Sequence, residues 1–142
     1  MELKNISKDR GVKDSLYIGR ALKGKGWVQS PLANPFYLQW EWQRERVVGA
    51  YRRWLWQVIS SGQTDPHAIA ERFQVRVAYT WTPPEVEDVM WELEYLVKND
   101  RDIACWCSPK LCHGHIVMKA VEYLRCNPEW FARHRHKEFD NA

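Results

Sequence analysis

The sequence predicts an α/β fold, with a parallel or mixed sheet flanked by helices. Three observations lead there. Segments with helical periodicity separate the clear strand segments, and strands joined by such crossovers pair in parallel. Hydrophobic residues make up 45% of the chain and charged residues of both signs 27%, close to the globular average and away from the composition of disordered chains. The 142 residues leave room for one compact core and none for a second, so 1–142 is expected to form a single α/β domain.

Glu2 to Ile6 reads as a short first strand. The charged stretch Ser7 to Asp14 interrupts the pattern, and Leu16-Tyr17-Ile18 gives a second strand with Arg20 just beyond its C-terminal end. Ala21 to Pro35 is rich in Gly, Pro, Ser and Asn and longer than an ordinary connection, which marks a functional loop or an irregular hairpin. From Glu41 the period changes. Val47, Val48, Tyr51, Trp54, Leu55, Val58 and Ile59 recur at three and four residues, forming one apolar helix face that ends near Gly62, while Arg44, Arg46, Arg52 and Arg53 occupy the other face. Asp65-Pro66 predicts an N-cap followed by proline at the first helical position, opening a short helix to Phe73.

Val75, Val77, Tyr79 and Trp81 alternate, so a strand competes there with a continued helix. Thr82-Pro83-Pro84-Glu85 matches a capping box, ahead of a helix whose buried face is Val86, Val89, Met90, Leu93, Leu96 and Val97. Asp102 to Trp106 is an apolar run of strand length. Ser108-Pro109 then turns the chain into a helix from about Cys112 to Arg125, and Asn127-Pro128 starts a last short one.

No apolar stretch approaches the roughly 20 residues that cross a bilayer, and Met1 to Asp14 is polar, so no membrane span and no signal peptide are expected and the location expected is cytoplasmic. Four cysteines, Cys105, Cys107, Cys112 and Cys126, all fall late in the chain, unlike a secreted disulfide framework, and reduced thiols are the default. A net charge of +3 favours anionic ligands slightly but is too small for a nucleic-acid footprint, and the basic run Arg133 to Lys137 reads as a solvated end. Nine tryptophans suit large buried anchors; their other reading, a stacking platform for bases, gives nucleic-acid binding weak support.

Two motifs carry the chemistry. In open parallel sheets ligands bind beyond the carboxyl ends of the strands, which brings the Arg20 loop and the Cys107 loop to one edge. If Asp102 to Trp106 is a strand, Cys105 and Cys107 point to one face and Trp106 to the other. Cys112 and His113 then open a helix, where unpaired amides favour a thiolate and make Cys112, rather than Cys126 at the far end, the thiol expected to react.

Tyr17-Ile18-Gly19-Arg20, the loop Ser30-Pro31-Leu32-Ala33-Asn34-Pro35-Phe36, the helical Arg44, Tyr51, Arg52 and Leu55, and the segment Cys105 to Gly114 occur together in this order. In this combination the chain resembles the bacterial and phage family named domain of unknown function 4326. That family pairs a Tyr-Ile-Gly-Arg strand end and an Asn-Pro-Phe loop with a closing Cys-Trp-Cys-x-Pro-x-x-Cys-His-Gly segment. Two departures stand out: Ala33 replaces the family's usual glycine, and residues 63–84 read as a divergent or inserted stretch. The resemblance implies a small α/β domain and brings no established activity. The strand, Cys, loop, Cys-His, helix order is also similar to that of small Rossmann-like domains associated with nucleotides or nucleosides, an analogy of fold rather than a warrant for function.

The leading expectation is a domain that binds, and in its enzymatic form processes, a small anionic ligand of nucleotide or nucleoside type. Arg20 and Arg44 offer bidentate contacts to phosphate or carboxylate and Asn34 reads a polar edge, with Ser30, Phe36 and Trp106 completing the candidate ligand-binding set. Cys107, Cys112 and His113 are the candidate catalytic residues. Against this stands the plain reading in which the arginines pair with local acids and the cysteines are merely buried. A sequestering module without turnover uses the same residues. A structural zinc site from Cys105, Cys107, Cys112 and His115 reaches four ligands, but C-x-C followed by C-H lacks the usual C-x2-C knuckles. No metal is assigned by default; the cofactor, with zinc as its alternative, and the oligomeric state stay open.

Overall fold

A computed structural model describes residues 1–5, 15–21, 28–105 and 110–130. The elements follow as β1 (Leu3–Asn5), β2 (Leu16–Tyr17), β3 (Phe36–Tyr37), a 3-10 turn (Glu41–Gln43), α1 (Arg44–Ser61), α2 (His67–Phe73), β4 (Arg76–Val77), α3 (Val86–Lys98), β5 (Ile103–Cys105) and α4 (His113–Cys126). The fold is a mixed α/β arrangement with a three-stranded parallel sheet and a separate antiparallel strand pair.

β5 lies between β1 and β2 and pairs in parallel with both, Leu3 and Leu16 each standing opposite Ile103. Every residue of β5 is buried, as its apolar run requires of a central strand. Asp102, just before it, fastens β1 alongside: its carboxylate accepts the Glu2 amide at 2.7 Å and pairs with Lys4 Nζ at 3.1 Å. The Lys4 hydrogen bond, aided by the Glu2 amide, holds the Asp102 carboxyl below its ordinary range.

The second sheet pairs Phe36 with Val77 and Tyr37 with Arg76, and the Ala78 amide extends it to the Pro35 carbonyl at 2.7 Å. Of the stretch that alternates from Val75 to Trp81, only Arg76–Val77 is therefore a strand, and Tyr79 and Thr80 form a turn. α2 ends because Gln74 takes a left-handed conformation, φ 55°, with its amide on the Ala70 and Glu71 carbonyls. Its partner β3 was not anticipated, since its two residues sit at the edge of the predicted loop.

α1 buries the predicted face and stops at Gly62, φ 73°, whose amide reaches the Val58 carbonyl at 2.9 Å. Only a residue tolerant of that conformation closes the helix without strain. α1 packs against α2, α4, β3 and α3, and α3 against α4. Tyr51, Trp54 and Leu55 are fully buried with Ile18, Phe36, Leu93, Ile103 and Leu124. Trp54 meets Trp81 edge to face and donates from Nε1 to the Thr64 carbonyl at 2.9 Å. Trp54, Trp81 and Trp130 are thus core anchors, whereas Trp40, Trp42 and Trp91 are exposed.

Two helix starts differ from expectation. α2 begins one residue later than predicted, and Asp65 accepts the His67 amide at 3.0 Å. The capping box at Thr82 is absent: α3 starts at Val86 with Glu85 as its cap and no side-chain cap bond. Thr82 is occupied elsewhere, its amide and carbonyl paired with the side-chain amide of Gln29 at 3.0 and 2.7 Å. Among the described residues no helix is long and apolar enough to cross a membrane.

Candidate functional site

The carboxyl ends of β2 and β5, the loop leading to β3, the start of α1 and the N-terminus of α4 border one cavity of about 360 Å³. Arg20, Asn34, Phe36, Arg44, Cys112 and His113 all line it, as does Cys105. Residues flanking the two loops that the sheet rule assigned to one edge, Arg20 from the first and Cys105, Cys112 and His113 from around the second, thus border it. Ser30 is buried but is not among the lining residues, and Trp106 and Cys107 lie outside the described residues.

The loop wall is shaped by short-range hydrogen bonds. The Ser30 amide donates to the Gly19 carbonyl at 3.0 Å, its hydroxyl accepts the Leu32 amide at 3.0 Å and its carbonyl accepts the Ala33 amide at 3.0 Å. Ser30 therefore turns the chain back onto the end of β2. Asn34 Oδ1 accepts the Phe36 amide at 2.9 Å, an Asx turn that delivers Phe36 to the cavity. Ala33 is fully buried, and Gln74 is the one non-glycine residue with positive φ among the described residues, so alanine sits in this loop without backbone strain. Tyr17 donates its hydroxyl to the Arg20 carbonyl at 2.6 Å. Its ring covers Gly19, where a Cβ would collide with the Tyr17 hydroxyl.

Arg44 is tied down rather than extended toward solvent. Its guanidinium forms a fork with Glu41 at 2.8 and 3.0 Å and donates to the Leu111 carbonyl at 2.9 Å, joining the start of α1 to the residue before the Cys112 cap.

On the helix wall, His113 Nε2 lies 2.8 Å from the Ile18 carbonyl. A carbonyl only accepts, so Nε2 carries the proton. The ring meets Tyr51 edge on at 5.0 Å between centroids, and the Tyr51 hydroxyl donates to the Leu32 carbonyl at 2.7 Å. Burial pushes the Tyr51 hydroxyl well above the usual tyrosine range, and the Cys112 sulfur adds to this, so Tyr51 stays a neutral donor. His113 and Tyr51 thereby tie α4 and α1 to the end of β2 and to the loop.

Cys112 is the N-cap of α4. Its Sγ accepts the Gly114 amide at 3.3 Å and its own amide donates to His115 Nδ1 at 3.1 Å. Gly114 permits this close start: a Cβ there would stand 2.6 Å from Leu3 Cδ1 and 3.3 Å from Cys112 Sγ. Cys105 Sγ, at the end of β5, lies 3.3 Å from Cys112 Sγ. For the zinc reading, two of the four proposed ligands converge, but no group of three or more His, Cys, Asp or Glu is gathered among the described residues. His115 Nδ1 already serves the Cys112 amide.

Both walls fall inside the one stretch of the chain with a recognised relationship. A family model for a domain of unknown function, DUF4326, matches residues 1–123. The chain belongs to the DUF4326 family. No curated protein and no solved structure matches the chain. The DUF4326 match covers every described residue of the cavity, from Tyr17 to His113, and ends within α4.

Sequence reasoning missed part of the lining. Tyr17, Leu38, Val47, Val48, Thr80 and Leu111 also border the cavity. The two valines carried a core signal and nothing more, because a helix face that covers a core and one that floors a pocket look alike in periodicity. Thr80 comes from the divergent stretch, where no pattern singled it out.

Proposed function

We propose that this DUF4326 domain binds a small anionic ligand of nucleotide or nucleoside type between the Arg20/Asn34 loop and the start of α4. One observation carries the reading: segments separated by most of the chain bring a guanidinium, a carboxamide, an aromatic ring and a helix N-terminus with its thiol and imidazole to a single cavity of about 360 Å³. That volume falls in the range of small-molecule sites, about 300–1,000 Å³, and convergent polar groups on an apolar lining are their usual character. Arg20 suits the oxygens of a phosphate. Phe36, Leu38, Val47 and Val48 supply an apolar surface for a base or sugar. The α4 N-terminus favours negative charge beside Cys112. Arg44, held by Glu41 and Leu111, fixes the wall it lines, and Arg20, at the carboxyl end of β2 where such sheets bind ligands, is assigned the anion contact.

Cys112 is the nucleophile best placed for chemistry on the bound ligand, with His113 beside it. Thiols that the sequence places late in the chain, away from any secreted disulfide framework, fit a reducing, cytoplasmic setting. The test is native mass spectrometry of the protein as purified, followed by calorimetric titration with the four nucleoside monophosphates and with inorganic phosphate. At least one nucleoside monophosphate should bind saturably with Kd below about 1 mM, more tightly than phosphate. No retained mass and no saturable binding of any nucleotide overturns the reading. Ligand recovered with altered mass identifies an enzyme; ligand recovered unchanged identifies a binding module.

A further inference from the structure

We infer that Cys105 and Cys112 are a peroxide-responsive dithiol that closes to an intramolecular disulfide at the floor of the cavity. The bond does not depend on the ligand reading above; only its effect on occupancy rests on that reading.

Four observations point to the pair. The two sulfurs are already in contact at 3.3 Å, against about 2.05 Å for the bonded state. They come from the end of β5 and the cap of α4, so small shifts at two element termini close the gap without repacking an element interior. Both residues are only 2% exposed and both line the cavity, which makes the cavity their route to small solutes. The Gly114 amide donates to Cys112 Sγ at 3.3 Å and favours negative charge there, which suits Cys112 as the attacking sulfur.

The oxidant is a hydroperoxide small enough for the cavity, hydrogen peroxide being the simplest. The Cys112 thiolate attacks one peroxide oxygen, the O–O bond breaks, and the departing hydroxide takes up the proton released by the thiol, leaving a sulfenic acid and one water. Cys105 then loses its proton and attacks the Cys112 sulfur. The S–O bond breaks and a second water leaves. Two thiols and one peroxide become one disulfide and two waters, the pair supplying the two electrons. In the disulfide the Gly114 amide no longer faces a sulfur able to carry charge, which favours the reduced state and makes the bond readily reversible by a dithiol reductant. The oxidised cavity has no Cys112 thiol to offer a bound molecule.

The experiment is peptide mapping of the full-length protein after treatment with a small excess of hydrogen peroxide and quenching with N-ethylmaleimide. Trypsin cuts after Lys110, so Cys105 and Cys112 fall in different peptides. The expected product is a non-reduced peptide joining them, two hydrogens lighter than the sum of its parts, lost on treatment with dithiothreitol and retained in Cys107→Ser. Cys105→Ala should leave Cys112 as a sulfenic acid trapped by dimedone; if that variant does not fold, the wild-type map decides alone. Cys112 oxidised to sulfinic acid with Cys105 still alkylated overturns the inference, as does a link made only through Cys107 or Cys126. A disulfide in a protein that binds no nucleoside monophosphate removes the ligand reading and leaves this one standing. Nucleotide binding without the link does the reverse.

Discussion

The loop wall and the helix wall of the cavity put their polar atoms to different uses. On the loop wall the oxygens of Ser30 and Asn34 accept the amides of Leu32 and Phe36, so the Ser-Pro-Leu-Ala-Asn-Pro-Phe segment is folded onto itself and the cavity receives Asn34 and Phe36 while Ser30 stays behind them. On the helix wall His113 anchors to β2 through one nitrogen, and two sulfurs lie together at the cavity floor. Residues that travel together in a motif thus divide into those that set a shape and those that present chemistry, and only the hydrogen-bond partners tell the two apart.

The largest effect expected from breaking this division is at His113, which joins the walls. His113→Ala removes the Nε2 bond to Ile18 and the contact with Tyr51 and leaves a hole, and should lower unfolding free energy by about 3 kcal/mol in urea denaturation. Ser30→Ala comes next. It leaves the Leu32 amide without its hydroxyl partner and should cost about 1–2 kcal/mol, while nucleotide affinity, measured on the folded fraction, stays within a few-fold of wild type. Binding lost at unchanged stability would instead make Ser30 a contact residue.

Much of the scaffold was legible because burial imposes a period. The apolar face of α1, the Gly62 stop, the all-buried β5 and the start of α4 near Cys112 each follow from local pattern, whereas the capping role of the Cys112 sulfur does not. The convergence of the Arg20 and Cys112 segments followed from the crossover topology of a parallel sheet. β3 is two residues long and too short to show alternation, β4 takes up only Arg76–Val77 of an alternating stretch, and their pairing spans the whole of α1 and α2. The misread cap at Thr82 has the same origin: its backbone is taken by Gln29, a distant partner that no local motif encodes. Arg44 lines the cavity, but the sequence shows only its charge and not the Glu41 fork and Leu111 carbonyl that hold its guanidinium in place.

Smaller effects sharpen the comparison. Cys112→Ser keeps a side chain able to cap α4, so stability should change by less than about 1 kcal/mol in the same denaturation assay, while the peroxide-driven link to Cys105 disappears. The smallest change is expected away from both walls, at Asp102. Its carboxyl is held below the ordinary range by Lys4 and the Glu2 amide, so its stabilising contribution is fully present above the ordinary aspartate range and is lost as pH falls through its lowered value. Asp102→Asn should flatten that acid limb in melting curves recorded between neutral and acid pH and leave nucleotide affinity at neutral pH unchanged.

The central claim, that the cavity is an anion site read by Arg20, is tested most directly by calorimetry on Arg20→Ala with the nucleoside monophosphate that binds wild type most tightly, paired with its urea midpoint. The account predicts at least a tenfold loss of affinity, about 1.4 kcal/mol, with a midpoint shift smaller than that of Ser30→Ala. Wild-type affinity in a variant whose midpoint has fallen would contradict it and make Arg20 a strut of the fold.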